Sequence, residues 1–134
     1  MKVLDPGHSY QVDVYPHDPR LGVLPFAIQK IDFVKKVGEN YPGNHPPEHP
    51  GTNLQELLRV LINRLEYLNN QNSADENLDT LSHLRLSLYL NEKRAARLKG
   101  IKFLNTPHIE ELQPCKICGH IFPHDSHAES HQGR

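Results

Sequence analysis

Residues 52–69 read Thr-Asn-Leu-Gln-Glu-Leu-Leu-Arg-Val-Leu-Ile-Asn-Arg-Leu-Glu-Tyr-Leu-Asn, and this stretch decides the fold. Leucine and isoleucine recur at helical spacing, which is typical of an amphipathic helix with one apolar stripe. Thr52 is predicted to be the N-cap, and Gln55 completes a capping box. We therefore predict a first helix that begins after Thr52 and ends near Asn69.

A second helix is predicted downstream, because Ser73 and Glu76 repeat the capping-box pattern and Gly100 suits the position just after a helix. Its inner face carries leucines at 78, 81, 84 and 88. The polar link Asn69–Asn72 is short, so the two helices should form an antiparallel hairpin.

Each predicted helix also carries apolar residues outside its main stripe, namely Val60, Tyr67, Leu86 and Leu90. In a two-helix monomer these side chains would face water. We therefore predict self-association through the hairpin. The alternative is that the N-terminal strands cover the second faces.

The N-terminal residues favour strands over Lys2–Leu4, Tyr10–Tyr15 and Phe26–Lys36, separated by proline and glycine. The predicted fold class is α+β: a small N-terminal antiparallel β-meander, then a two-helix antiparallel hairpin, then a short zinc-knuckle-like tail. The predicted divisions are residues 1–51 for the meander and ligand loop, 52–100 for the oligomerising hairpin, and 101–134 for the Cys/His-rich tail.

The composition of the chain argues against binding to nucleic-acid polymers and against insertion into a membrane. The 134 residues carry a formal net charge of −1 at pH 7, so there is no global positive field to hold a nucleic-acid polymer. No apolar run is long enough for a membrane helix, which requires about 18 residues. We expect an intracellular protein that recognises anions only locally.

Candidate ligand residues lie near the end of the last predicted strand, in the Gly/Pro-rich loop of residues 38–51 and in the helices. Glycines bring backbone N–H groups close to a ligand, and a helix N-terminus suits phosphate. Arginine and lysine can bind phosphate, and an aromatic ring can stack on a base. The candidates of these residue types are Phe33, Lys35, Tyr41, Arg59, Arg64, Arg85 and Arg97.

Two charges, Arg85 and Glu92, fall inside the predicted leucine stripe, where each needs a partner or a ligand. We interpret them as partners across an interface between copies of the chain.

The tail contains Cys115 and Cys118 at zinc-knuckle spacing, followed by several histidines. His127 and His131 lie one helical turn apart, so we predict a structural zinc site with these two histidines. His124 is the main substitute ligand, and a disordered His-rich tail is the alternative. Such a site has no open position for catalysis.

No nucleophile elbow, P-loop or metalloprotease motif occurs. Histidines at 8, 17, 45 and 49 could serve as general bases, but nothing places an acid or nucleophile beside them.

Several blocks resemble the first Thoeris anti-defence family of phage proteins, whose hairpin is similar to that of the anti-CBASS cyclic-nucleotide sponges. The blocks, which span residues 1 to about 100, are Leu4–Tyr10, Phe33–Lys36, Tyr41–Asn44, His49–Thr52, Gln55–Arg59, Leu84–Arg85 and Arg94–Arg97.

The resemblance implies a non-enzymatic homo-oligomer, often a hexamer, that acts in the cytoplasm of the infected host. It would hide glycocyclic ADP-ribose and, for some members, cyclic di- or trinucleotides. Phe33, Asn44, Arg59 and Arg64 would grip the ligand between protomers, while Thr52 and the hairpin basic residues would form separate cyclic-nucleotide sites. Two alternatives stay open: a zinc-containing adaptor that binds a macromolecule, and a small nucleotide-processing enzyme.

Overall fold

The computed structural model describes residues 1–15, 20, 29–36, 47–103, 110, 112–116 and 119–121, with only the backbone at 36 and 47–49. The chain divides into two compact units. Of the described residues, the first unit contains the strands and extends to Thr52, and the second contains Asn53, both helices and the described part of the C-terminal segment. The predicted α+β layout is confirmed.

Three strands form the main sheet of the first unit: β1 (Lys2–Asp5), β2 (Ser9–Val12) and β3 (Gln29–Asp32). They are antiparallel and lie in the order β1-β2-β3, as predicted for a meander. Gly7, with a φ of 79°, supplies the left-handed residue of the turn that joins β1 to β2.

A second, two-stranded sheet pairs β4 (Lys35–Lys36) with β5 (Pro47–His49) in antiparallel orientation. The predicted strand Phe26–Lys36 is therefore divided at Phe33 and Val34, because its two ends pair with different partners.

Gly51 and Thr52 are fixed by close backbone contacts. The Thr52 N–H donates to the carbonyl of Asp32 at 2.8 Å, and the Val34 N–H donates to the carbonyl of Thr52 at 3.0 Å. A Cβ atom at Gly51 would collide with the backbone of Asp32 and Phe33. Glycine in the His-Pro-Gly-Thr block is therefore explained by backbone packing within this unit.

Helix α1 spans Leu54–Gln71, and its N-cap is Asn53. The Asn53 Oδ1 accepts the N–H of Glu56 at 2.8 Å, which satisfies one of the unpaired donors of the first turn. The prediction of Thr52 as the cap is wrong by one residue, because the backbone of Thr52 is held by the strand contacts.

Helix α2 spans Asp75–Leu98, and its N-cap Ala74 makes no side-chain capping bond. The predicted cap at Ser73 is therefore wrong. Asn69 orders this link instead, since its Oδ1 accepts the N–H of Ala74 at 3.1 Å. The predicted helix end is confirmed: Gly100 has a φ of 68°, and its N–H donates to the carbonyl of Arg97 at 3.1 Å, as in a Schellman motif.

The helices pack as the predicted antiparallel hairpin, since Arg59 pairs with Glu92 and Glu66 pairs with Arg85. The core consists of Leu58, Ile62, Leu81, Leu88 and Ile121, with Leu65, Leu84, Tyr89 and Phe103 packed against it. Four leucines assigned to the inner faces are instead between 37% and 52% exposed, namely Leu54, Leu61, Leu68 and Leu78. Within the described ranges, neither helix has the length and apolarity that a bilayer crossing requires.

Candidate functional site

An open groove runs along one face of α1, with a volume of about 650 Å³. This volume lies within the range of about 300–1,000 Å³ that is usual for small-molecule sites. Positions three and four residues apart lie on the same side of a helix, which explains why this face supplies most of the wall. The lining residues are Glu56, Arg59, Val60, Ile62, Asn63, Arg64, Glu66 and Tyr67 of α1, together with Glu110.

Arg59 is the buried cation of the groove wall, with a side chain only 10% exposed. Its Nη2 donates to the Glu92 Oε1 at 2.8 Å. Its Nη1 lies 3.5 Å from the Glu56 Oε2, an ion pair too long for a strong hydrogen bond. The Nε and Nη1 atoms are buried and have no hydrogen-bond partner among the described residues. Since an unsatisfied buried donor costs about 1–3 kcal/mol, these two nitrogen atoms are energetically unsatisfied donors in the groove wall.

Glu92 is completely buried and uses both carboxylate oxygens. Its Oε1 accepts from Arg59, and its Oε2 accepts the backbone N–H of Ile121 at 3.2 Å. The Nδ1 of His120 lies 3.7 Å from the same Oε2. A buried carboxylate is tolerated only when it is paired and hydrogen-bonded, and Glu92 meets both conditions within one chain. The predicted pairing of Glu92 across an interface is therefore corrected.

Arg85 also finds its partners within the chain. Its Nε donates to the Glu110 Oε1 and its Nη2 donates to the Glu66 Oε1, both at 2.6 Å. Burial alone would lower the pKa of Arg85, but the hydrogen bonds and charges of Glu110 and Glu66 raise the pKa above its ordinary value. Arg85 therefore stays cationic and compensates two of the groove carboxylates, rather than pairing between copies as predicted.

Arg64 and Tyr67 form the exposed part of the groove. The Arg64 guanidinium carbon lies 5.8 Å from the centre of the Tyr67 ring, within range of a cation–π contact. Tyr67 is 55% exposed, and its hydroxyl accepts a hydrogen bond from Gln71 at 2.9 Å. The groove thus contains a partly exposed aromatic ring beside Arg64, and Arg59 lines the same groove.

Three predicted ligand residues belong to the strand-containing unit and have structural partners there. The ring of Phe33 packs edge-on against Tyr10, with centres 6.0 Å apart. The Lys35 Nζ lies 3.4 Å from an Asp5 carboxylate oxygen. Thr52 forms an isolated parallel bridge with Phe33. Strand geometry and packing account for the contacts of all three residues.

The remaining predicted residues are distributed as follows. Arg97 is exposed in the last turn of α2, where a cation complements the helix dipole. Tyr41, Asn44, Cys118, His127 and His131 lie outside the described residues. Of the nine predicted ligand residues, the structure brings Arg59 and Arg64 together in the groove.

The described part of the cysteine motif forms a closed turn. The Gly119 N–H donates to the carbonyl of Cys115 at 2.7 Å, and the Cys115 N–H donates to the carbonyl of His120 at 2.9 Å. Gly119 has a φ of 75°, which favours glycine. This backbone curl suits a Cys-x-x-Cys-Gly zinc knuckle. Among the described residues, no three His, Cys, Asp or Glu side chains are grouped as metal ligands.

Residues 119–121, hereafter the docked segment, lie against the hairpin. Ile121 is buried in the hairpin core. The His120 Nδ1 lies 3.1 Å from the Gln55 Nε2. A Cβ atom at Gly119 would collide with the Asn53 Nδ2, so the segment contacts both the cap and the second residue of α1.

Sequence reasoning missed the roles of Glu66, Glu110 and Gln55, and it singled out Glu92 but assigned it a partner in another copy of the chain. The signal for Glu92 was present, since a carboxylate within a leucine stripe requires a buried partner. Identifying Arg59 as the partner of Glu92 requires the register between α1 and α2, which the sequence does not show. No periodic pattern marks Glu110, which lies beyond the end of α2 at Leu98.

Comparisons with protein-family models, with curated proteins and with solved structures return no match. The site is therefore interpreted from its own geometry and from the sequence blocks that carry the family resemblance.

Proposed function

We propose that this protein is a non-enzymatic sponge that binds and hides a cyclic, phosphate-bearing nucleotide messenger. The messenger class is glycocyclic ADP-ribose, with cyclic di- and trinucleotides as further ligands. Sequestration would inhibit bacterial Thoeris and CBASS anti-phage defence. On this proposal the protein is phage-encoded and acts in the host cytoplasm.

The observation that carries the proposal is that two nitrogen atoms of Arg59 in the groove wall, Nε and Nη1, have no hydrogen-bond partner among the described residues. A guanidinium already fixed through one nitrogen is preorganised to offer its remaining donors to a phosphate oxygen. Each such charge-assisted contact contributes about 1.5–3 kcal/mol. Nanomolar binding needs about −12 kcal/mol, so the arginines would supply a substantial share.

The rest of the groove fits the same ligand class. Tyr67 offers an exposed ring for a base, and Arg64 offers a second, solvent-accessible guanidinium. Three carboxylates line the groove and would oppose an anion, but Arg85 binds two of them, those of Glu66 and Glu110. With Glu92 included, the four carboxylates of this network outnumber its three arginines, so recognition would depend on directed hydrogen bonds from Arg59 and Arg64 and not on an excess of positive charge.

Assembly into a homo-oligomer, a hexamer according to the resemblance, would complete the groove. Val60 and Tyr67, which line the groove, are 56% and 55% exposed, and Leu86 and Leu90 of α2 are 53% and 52% exposed. Large apolar side chains on a short hairpin favour association. A second copy packed on this face would close an open groove and reduce its contact with water.

Titration calorimetry with cyclic ADP-ribose isomers and cyclic nucleotides tests the proposal, followed by chromatography of the ligand released on heating. We expect tight binding and chemically intact ligand. Arg64→Ala should weaken binding at least about tenfold, because it removes one charge-assisted contact. Lys93→Ala, which removes an exposed charge from α2, is the matched control and should bind like the unmodified protein.

Two results would refute this function. Recovery of altered nucleotide would favour the enzyme alternative. The absence of binding to every cyclic nucleotide and cyclic ADP-ribose isomer would exclude the sponge.

We also propose that Cys115 and Cys118 bind zinc together with His127 and His131. The hydrogen bonds that join Cys115 to Gly119 and His120 support this proposal, because a zinc knuckle requires the chain to turn back on itself just after its first cysteine. The metal would stabilise the tail and take no part in ligand chemistry. Elemental analysis of protein purified without chelator should find one zinc ion per chain.

A further inference from the structure

The docked segment is held on the hairpin by three kinds of contact. Ile121 contributes an apolar side chain that is only 7% exposed. Its backbone N–H donates to the Glu92 Oε2 at 3.2 Å. Gly119 lies against the Asn53 side chain at the start of α1.

Glu92 connects this segment to the groove. The oxygen that does not bind Ile121 accepts from Arg59 at 2.8 Å. One rigid carboxylate therefore joins the C-terminal segment to the arginine that carries the proposed ligand contact. Among the described residues, the one further contact of the Arg59 Nη1 is the long 3.5 Å ion pair with the half-exposed Glu56.

We propose that the docked segment positions Arg59 through Glu92, so that the anion affinity of the groove depends on docking. The inference rests on the proposed function for its ligand class. If the segment leaves, the Glu92 Oε2 loses its N–H donor, and the carboxylate gains rotational freedom together with the guanidinium. Binding must then order both groups, and this ordering cost lowers affinity. Glu92 is thus a positioning residue for the groove.

The variant Gly119→Ala tests the coupling in the full chain. It introduces a Cβ at a φ of 75° and into the Asn53 side chain. Gly100→Ala is the matched control, because Gly100 has a φ of 68° but nothing within 4 Å of its Cβ position. Calorimetry uses inorganic pyrophosphate and cyclic ADP-ribose as probes, and circular dichroism monitors the helices.

For Gly119→Ala we expect about tenfold weaker binding of both probes, the effect of losing one preorganised charge-assisted contact, with unchanged helix content. Gly100→Ala should change affinity less than about twofold. Adding Asn53→Ser to Gly119→Ala should restore part of the affinity, because serine is shorter and still caps the helix.

Hydrogen exchange at the Ile121 amide reports undocking directly. Fast exchange together with unmodified affinity would overturn the coupling and leave the sponge proposal standing. If the segment stays docked in Gly119→Ala, Ile121→Asp should release it by placing a carboxylate in the core. Amide exchange at residue 121 and probe affinity are then compared in that variant in the same way.

A readout without ligand separates this inference from the proposed function. The side-chain Nε–H resonance of Arg59, assigned by its absence from the Arg59→Lys spectrum, should shift on undocking. If the unmodified protein binds neither probe, a shifted resonance in an undocked variant still supports the coupling. An unshifted resonance in an undocked variant would refute it.

Discussion

Replacing Glu92 with glutamine is expected to lower the free energy of unfolding by about 3 kcal/mol. Glutamine has nearly the shape of glutamate but only one acceptor oxygen. The carboxylate oxygens of Glu92 accept from two different donors, Arg59 at 2.8 Å and the Ile121 N–H at 3.2 Å. The amide nitrogen of the variant must therefore face one of these donors.

The magnitude follows from those two contacts. Losing the charge-assisted bond to Arg59 costs about 1.5–3 kcal/mol, and a backbone N–H left facing a donor costs about 1–3 kcal/mol. We expect the total cost of the two losses to lie near the lower end of the summed range, because Arg59 keeps its weak ion pair with Glu56 at 3.5 Å. A buried ion pair broken on one side typically costs 3–5 kcal/mol, in line with this value.

Urea unfolding followed by circular dichroism of the helices measures the effect at one fixed chain concentration, since association would also shift stability. Glu76→Gln, at an exposed site in the first turn of α2, makes the same charge change and should stay within about 0.5 kcal/mol. If Glu92→Gln is as stable as this control, the buried network is not a determinant of stability.

A double variant tests directly whether Arg59 and Glu92 act as a pair. Arg59→Met with Glu92→Leu replaces the ion pair by apolar side chains, and such replacements are often neutral. It should be more stable than either single variant and should fail to bind phosphate-bearing probes. If the double variant is destabilised as much as each single variant, Arg59 and Glu92 do not stabilise the fold as a pair.

Three further predictions concern the cap, the tail and the assembly. Asn53→Ala should lower stability by about 1 kcal/mol by removing the α1 cap, whereas Thr52→Ala should have no capping effect in the same urea titration. Cys118→Ser should abolish zinc binding by elemental analysis while the helical dichroism is kept, since structural zinc stabilises mainly the segment it ligates; full retention of zinc would contradict the knuckle. Leu86→Glu with Leu90→Glu should reduce the mass measured by light scattering, because charges on the apolar face oppose association, and a monomeric unmodified protein would exclude this interface.

The amino-acid sequence by itself determined the helices and the alternation that marks the strands. Apolar spacing in residues 52–69 and the leucines of the second helix predicted the two helices to within about two residues of their observed ends, because this periodicity is a local property of the chain. The end of the second helix before Gly100 was also predictable from the sequence, since the left-handed position after a helix strongly favours glycine.

Only the tertiary structure decided the helix starts and the partners of the buried charges. Thr52 and Asn53 are both good caps in isolation, and the strand contacts of Thr52 leave Asn53 to cap α1. The partner of Glu92 depends on the register between two helices and on a segment that returns 29 residues later. Such long-range geometry leaves no periodic signal, because it is set by packing between parts of the chain that local sequence does not relate.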